Sequence, residues 1–449
     1  MSLLRAFHPS NSARTRVRAR RTGVAALSAA LSLGALVLIP AAPAQATGVA
    51  SFVCAADTVY SVDGGSHVIS RLTPSTGATS SNGTISAGND EAVNALALPN
   101  GGGRYIYAFN RSDNKVLRFD ATTGGTQEYN APANDDADSV IAGAINPANG
   151  IYYYAVGGSP WKLYAFNTSS NTGIGQVGTI AGLSVNGDMA FDAVGNLYVV
   201  SNSSSTAAGT LARVNGPLPT TTGSTAFAST VLATLPGSSG QYASMAFDGS
   251  GVLVIGTGSG KVLRVNPSSG AQIDTDTASV TLSDMASCSS PSVASVRVDL
   301  PAGRHDNTDQ FTTTITGGGV TSGNTGTTAG TDTGLQTQEA EVAGPVVVLP
   351  STTYTITQSA AGGTSLSDYT TTWKCVAQSN GTTVATGTGN SGTFTMPSTS
   401  GSTVVCTFTN LPLFPAIELD KTGSTITDTD ANGPDAGDMV RNPYMLLPC

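Results

Sequence analysis

Ionisable side chains are scarce in this chain of 449 residues, where Asp, Glu, Lys and Arg together make up 11%. Histidine is rarer still, with three in all, and only His67 and His305 lie beyond the first 46 residues. These two fall in different predicted domains, which excludes a His-rich metal centre and leaves His67 alone for any Ser-His-Asp arrangement. His67 follows Gly64-Gly65 at a strand entrance and reads as a solvated turn residue. Gly-x-Ser-x-Gly elbows, phosphate-cradling glycine loops and Cys-x-x-Cys pairs are all missing, so catalysis has no motif behind it.

Positive charge is the second deficit. The formal net charge is −9, and six of the arginines, Arg5, Arg14, Arg16, Arg18, Arg20 and Arg21, crowd the first 46 residues, which hold no acid. Without that segment the charge is −9 − 6 = −15, and the remainder carries five lysines. Nucleic acid and anionic membrane surfaces, which are held by basic clusters, are excluded as partners. A single apolar run, Val24 to Ile39, follows the arginines and leads to Pro43-Ala44-Gln45-Ala46. This is the layout of a secretory signal cleaved after Ala46 (residues 1–46), and Arg20-Arg21 extends into no further twin-arginine match. A membrane anchor is the competing reading, but the run is short for a span and ends at a helix breaker. No second such run exists, so no membrane insertion is expected after cleavage.

What the chain has in quantity is Gly, Ser and Thr, with 53 glycines, which favours strands and tight turns over helices. The dominant pattern is a repeat. Ile69-Ser70-Arg71-Leu72-Thr73, Leu117-Arg118-Phe119-Asp120, Tyr164-Ala165-Phe166-Asn167, Ala212-Arg213-Val214-Asn215 and Leu263-Arg264-Val265-Asn266 recur at steps of 47, 47, 48 and 51 residues. Each copy holds short apolar runs between turn clusters, four strands a copy, as in Gly187 to Phe191, Leu197 to Val200, the Arg213 strand and Val231 to Leu235. One four-stranded blade cannot bury its faces alone, so five copies predict a five-bladed β-propeller over residues 47–290.

The chain enters this region at Phe52-Val53-Cys54, read as a second-strand position, with no first strand before it. A spare segment, Leu282 to Cys288, matches the first strands around Asp188-Met189-Ala190 and Ser244-Met245-Ala246. The last strand is therefore expected to complete the first blade and remove the exposed edges. Cys54 and Cys288 lie on the two segments that closure joins, and a disulfide is expected between them in an oxidising compartment.

The blades resemble the repeat propellers of bacterial exported proteins, the match running through Phe191-Asp192, Gly195-Asn196-Leu197-Tyr198, Phe247-Asp248 and Asn266-Pro267-Ser268-Ser269-Gly270. That scaffold hosts lectins, lyases, lactonases and passive binding modules, so it specifies a fold and no activity. Two groups of residues are candidates for a site. Asp136, Asp138 and Asp188, with Asn89-Asp90-Glu91, Asp135 and Asp284, precede or open first strands and are expected to ring the channel mouth as oxygen ligands for Ca²⁺, against solvated loop acids. Tyr153 and Trp161, in the dense aromatic cluster around Tyr152-Tyr153-Tyr154, are candidates for stacking a glycan, against packing between blades.

From Val293 the pattern changes to strands with polar alternation, Val296 to Leu300, Gln310 to Ile315, Val346 to Leu349, Tyr354 to Thr357, Tyr369 to Cys375 and Val404 to Phe408, describing an immunoglobulin-like β-sandwich at residues 291–412. Cys375 and Cys406 stand on consecutive strong strands beside Trp373 and are the natural second disulfide. The order Asp309-Gln310-Phe311, Val342-Ala343-Gly344, Tyr354-Thr355-Ile356-Thr357, Trp373-Lys374-Cys375 and Cys406-Thr407-Phe408-Thr409-Asn410 resembles the prealbumin-like domain of bacterial surface proteins, related to collagen-adhesin B-type modules. Those relatives often carry a Lys–Asn isopeptide bond assisted by a buried acid. Here the first strand has Arg297 and no Lys, and Gln358 stands at the acid's position, so the resemblance implies a stalk or display role without that cross-link.

Pro415 to Thr422 resembles the opening strand of tandem sandwich repeats of surface proteins. Asp428, Asp430 and Asn432 in the acidic stretch that follows are candidate Ca²⁺ ligands, against an acidic turn. Residues 413–449 are too short for a sandwich, lose their alternation and leave Cys449 unpaired, as a frameshifted or incomplete gene product would. The sequence thus leads to an all-β, monomeric, secreted or cell-surface protein without enzymatic activity or required cofactor, with a propeller head for an extracellular protein or glycan and a sandwich stalk. A metal-assisted propeller hydrolase or lyase acting on a polymer, and a lectin-like glycan binder, are the alternatives.

Overall fold

The computed structural model describes residues 51–85, 92–132, 136–238 and 240–414, with backbone also at Glu418–Lys421, Thr425–Thr427, Met439–Arg441 and Tyr444–Leu447. The leader, Asn89 to Glu91, Asp135, Asp428, Asp430, Asn432 and Cys449 lie outside the described residues. Among those described there is no α-helix, and no helix long and apolar enough to cross a membrane.

Each repeat folds into one antiparallel four-stranded arrangement. Arg71, Arg118, Ala165, Arg213 and Arg264 occupy the third strand of successive sheets, which is why that position carried the period. Four sheets are built in chain order from the innermost strands Val93–Ala97, Val140–Ile145, Gly187–Phe191 and Tyr242–Phe247. The third of the five sheets gains an outer parallel strand, Thr225–Phe227.

The first sheet is completed out of order. Asp284–Ala286 pairs antiparallel with Val59–Val62, matching Tyr60 to Ala286 and Val62 to Asp284. The five innermost strands then pack in a closed circuit, from Asp284–Ala286 through Val93–Ala97, Val140–Ile145, Gly187–Phe191 and Tyr242–Phe247 back to the start. Five sheets share one axis, the arrangement of a propeller whose ring leaves no inner edge unpaired.

The expected opening strand is displaced by a few residues. Val59–Val62, not Phe52-Val53-Cys54, is the second strand of the first sheet. Phe52 instead makes an isolated bridge to Gly103 and sets its ring edge-on to Tyr60 at 5.0 Å, wedged between the first two sheets. Cys54 is left beyond the ladder, free to reach Cys288, and the two are disulfide-bonded across 234 residues.

Apolar cores fill the junctions between neighbouring sheets. Phe109 and Tyr154 close the second junction with ring centroids 4.8 Å apart, and Tyr153 meets Phe191 at 5.4 Å in the third. Because a blade has a neighbour on each face, both faces of its middle strands are buried, and Tyr152, Tyr153, Tyr154 and Trp161 are all inaccessible. Tyr153 and Trp161 therefore cannot stack a glycan from solvent: Tyr153 donates its hydroxyl to the Pro219 carbonyl at 3.1 Å, and the Trp161 indole to that of Ser184 at 2.6 Å.

Residues 292–412 form two packed sheets. Ser292–Leu300 lies parallel to Thr403–Pro412, which pairs with Tyr369–Ala377, and the facing sheet is centred on Gln310–Thr316 and Thr353–Ala361. Burial alternates residue by residue along Tyr369–Ala377, as a strand with one solvated face requires. Cys375 and Cys406 stand directly opposite each other on neighbouring strands and are disulfide-bonded and buried. Gln358, Asn410 and Thr371 form a buried amide cluster, in which Gln358 and Asn410 exchange hydrogen bonds of 3.0 Å.

The sandwich docks on the fourth and fifth propeller sheets, and both belong to one compact unit, Ala46–Cys449. Val293 and Val347 enter the apolar core of Leu232, Phe247 and Val265. Around it Ser268 donates its hydroxyl to the Val347 carbonyl at 2.8 Å, Ser322 to that of Val231 at 2.7 Å, and the Arg213 guanidinium to that of Pro345. The approach is close enough that a Cβ at Gly319, whose φ is +92°, would sit 2.4 Å from Ser269.

Candidate functional site

The two ends of the propeller differ. The sandwich contacts just named fall where innermost and third strands end and fourth strands begin. The opposite end, where the innermost strands start, holds a basin of about 560 Å³ lined by Asn94, Arg111, Ile141, Asn186 and Ser283 with glycine backbone between them. A second hollow of about 560 Å³, lined by Ser203, Ser204, Ser205, Gln241 and Ser259, adjoins it and shares Asn186, Ala243 and Gly258. The lining is rich in neutral hydrogen-bonding groups and Arg111 is its one charged side chain. No aromatic ring lines either hollow among the described residues.

Arg111 directly follows the second strand of the second sheet, Tyr105–Asn110. The other repeats carry Asp63, Gly157, Ser203 and Gly258 after that strand, so an arginine in one copy of five was the sequence signal for it. Its Nη2 donates to the Asp138 carbonyl, while Nε is buried without a partner. Burial lowers its pKa, opposed by the Asp138 charge, and no carboxylate lies within ion-pairing distance of it among the described residues.

Below the mouth, Asp188 and Asp284 are fully buried at the axis. Asp188 accepts from the backbone N–H of Met189 at 2.7 Å and Met245 at 2.5 Å, and also from Gly143. Asp284 accepts from Ala95 at 2.8 Å and from Leu96 and Met285, and the two carboxyls hydrogen-bond each other. Together they collect amide donors from all five innermost strands. Burial, then their mutual repulsion at Asp284, pushes both well above the usual carboxylate range.

This geometry overturns the placing of Asp188 on the rim as a Ca²⁺ ligand. Its oxygens face N–H donors, which repel a cation, and it has no path to solvent. Asp136 forms an ion pair with Lys162 at the surface, and Asp138 offers its carbonyl to Arg111. Among the described residues, no three of His, Cys, Asp and Glu gather as a metal site would need. His67 lies in the turn with a left-handed φ of 58°, but it is half-buried where a solvated residue was expected, and its Nε2 is out of contact with solvent.

The buried carboxyls also set a pH dependence. Burial raises Asp192, and it pushes Asp248 up to about 6 from a usual 3.8. A carboxyl with a raised folded pKa binds its proton more tightly in the native state. Its contribution is complete below the unfolded value and is lost as pH rises through the folded one. The melting temperature is accordingly expected to be higher at pH 5 than at pH 8. Asp248→Asn should remove on the order of 1–3 kcal/mol of that difference. Melting curves across this range would sink the assignment if stability rose with pH.

Comparison with known proteins separates the two parts of the chain. Residues 293–412 match the family model of the prealbumin-like fold domain. The prealbumin-like domain and the two disulfides are consistent with an extracellular protein. No curated protein matches the chain. Among solved structures it is similar to that of U3-55K, at 13% identity and a TM-score of 0.31, over 49% of this chain and 61% of that one. It is also similar to the crystal structure of RRP9 WD40 repeats, at 11% identity and a TM-score of 0.32, over 51% of this chain and 80% of that one.

Proposed function

We propose that this protein is a secreted or cell-surface binding protein without enzymatic activity, in which the propeller is the ligand-facing head and the prealbumin-like domain its spacer. One observation carries the reading: the sandwich occupies one end of the propeller, and a polar basin opens at the other. A ligand in the basin is held away from the stalk. The basin walls supply amide and hydroxyl groups suited to a ligand rich in hydrogen-bonding groups. The amino-terminal leader and the two disulfides support export.

Gly258 lines both hollows, and a Cβ added there meets no atom within 4 Å, so the side chain of Gly258→Trp is expected to project into the basin, with a melting curve of the variant as the check on its fold. On an array of glycans and extracellular-matrix proteins, the full chain is expected to bind, and Gly258→Trp to lose that binding. Undiminished binding by Gly258→Trp would rule out the basin as the ligand site.

A further inference from the structure

Arg111 is a half-buried cation in the wall of a basin, and no described carboxylate pairs with it. A guanidinium partly withdrawn from water gains most from an anion delivered to it, because its own hydration is already reduced. The Asp138 carbonyl holds Nη2 and so fixes the plane of the fork. The surrounding groups, Asn94, Asn186, Ser283, Gln241 and the serines at 203 to 205, are neutral and match hydroxyls. No described lining residue offers an aromatic face to an apolar sugar surface.

We infer that the basin takes a polyhydroxylated carboxylate, an acidic sugar of the uronic acid class, with its carboxylate on Arg111 and its hydroxyls on the amide and serine walls. The proposal rests on the binding-head reading and adds the ligand's chemical class. Charge narrows it further. The chain carries −15 beyond residue 46 (−9 − 6), which repels a long polyanion, whereas one carboxylate on one guanidinium is locally neutral. Because the carboxyl pair fills the axis below, the ligand enters end-on, so a terminal acidic residue suits the site better than one inside a chain.

The test is calorimetric titration of the full chain at low salt with D-glucuronate, D-glucose and inorganic phosphate. Glucuronate is expected to bind about 10- to 100-fold more tightly than glucose and more tightly than phosphate, with affinity falling as salt is added. Arg111→Gln should bring glucuronate down to the level of glucose, and Arg111→Lys, which keeps the charge without the fork, should lose part of the difference. Melting curves of both variants establish that they are folded. Equal affinity for glucuronate and glucose, no binding of glucuronate, tighter binding of phosphate, or an Arg111→Gln variant that binds glucuronate unchanged would each overturn the assignment. Gly258→Trp separates the two levels of the argument. If it abolishes binding that Arg111→Gln leaves intact, the basin stands and the acidic sugar falls; if it abolishes nothing, both fall.

Discussion

Asp188→Ala is expected to lower the stability of the propeller by about 3–5 kcal/mol, a large part of what holds a domain together. The substitution leaves the N–H groups of Met189, Met245 and Gly143 without their acceptor at a site that water does not reach. It also leaves Asp284 without its hydrogen-bonded carboxyl neighbour. Asp188→Asn keeps the volume and one acceptor but turns an amide group toward backbone donors, and should fall between wild type and alanine. Denaturant titration with separate probes for the head and the sandwich measures this directly. A propeller midpoint that does not move would show that the five inner strands are held by side-chain packing alone.

Replacing Cys54 and Cys288 together by serine should cost about 5 kcal/mol if the bond acts through loop entropy, since it closes a loop with a sequence separation of 234 residues. The location magnifies the effect. The strand that completes the ring, Asp284–Ala286, is three residues long and ends two residues before Cys288. Without the covalent tie its ladder with Val59–Val62 is the first part of the ring expected to open. Amide exchange at Tyr60, Ser61 and Val62 reports that opening. Protection at these amides equal to the oxidised protein's would mean that the ring closes without the bond.

Architecture was legible in the sequence because it is written in periods. The third-strand echo, the spare first strand near Asp284 and the cysteines flanking the closure all depend on spacing, which a chain carries openly. The position of the opening strand was not legible, since Phe52-Val53-Cys54 is as apolar as Val59-Tyr60-Ser61-Val62 and only the packing of Phe52 as a wedge distinguishes them. Depth was the harder quantity. An aspartate before Met-Ala looks like a loop acid, and what buries Asp188 is a set of donors from strands about 45 to 57 residues away on either side. The aromatic cluster is buried for a related reason, as the packing alternative required: strand alternation exposes half of a sheet with one free face, but a blade has none. Arg111 is visible only once the repeats are laid over one another and one copy departs from the rest.

The joint between propeller and sandwich has a mechanical meaning. Three residues, Ser289 to Pro291, separate Cys288 from the first sandwich strand, Ser292–Leu300. Tension passing along the chain between the sandwich and the propeller therefore reaches Cys288 within a few residues. There the sulfur bridge diverts the load into Cys54 and the opposite flank of the seam, so that the three-residue ladder is spared the peeling force that would otherwise unzip it.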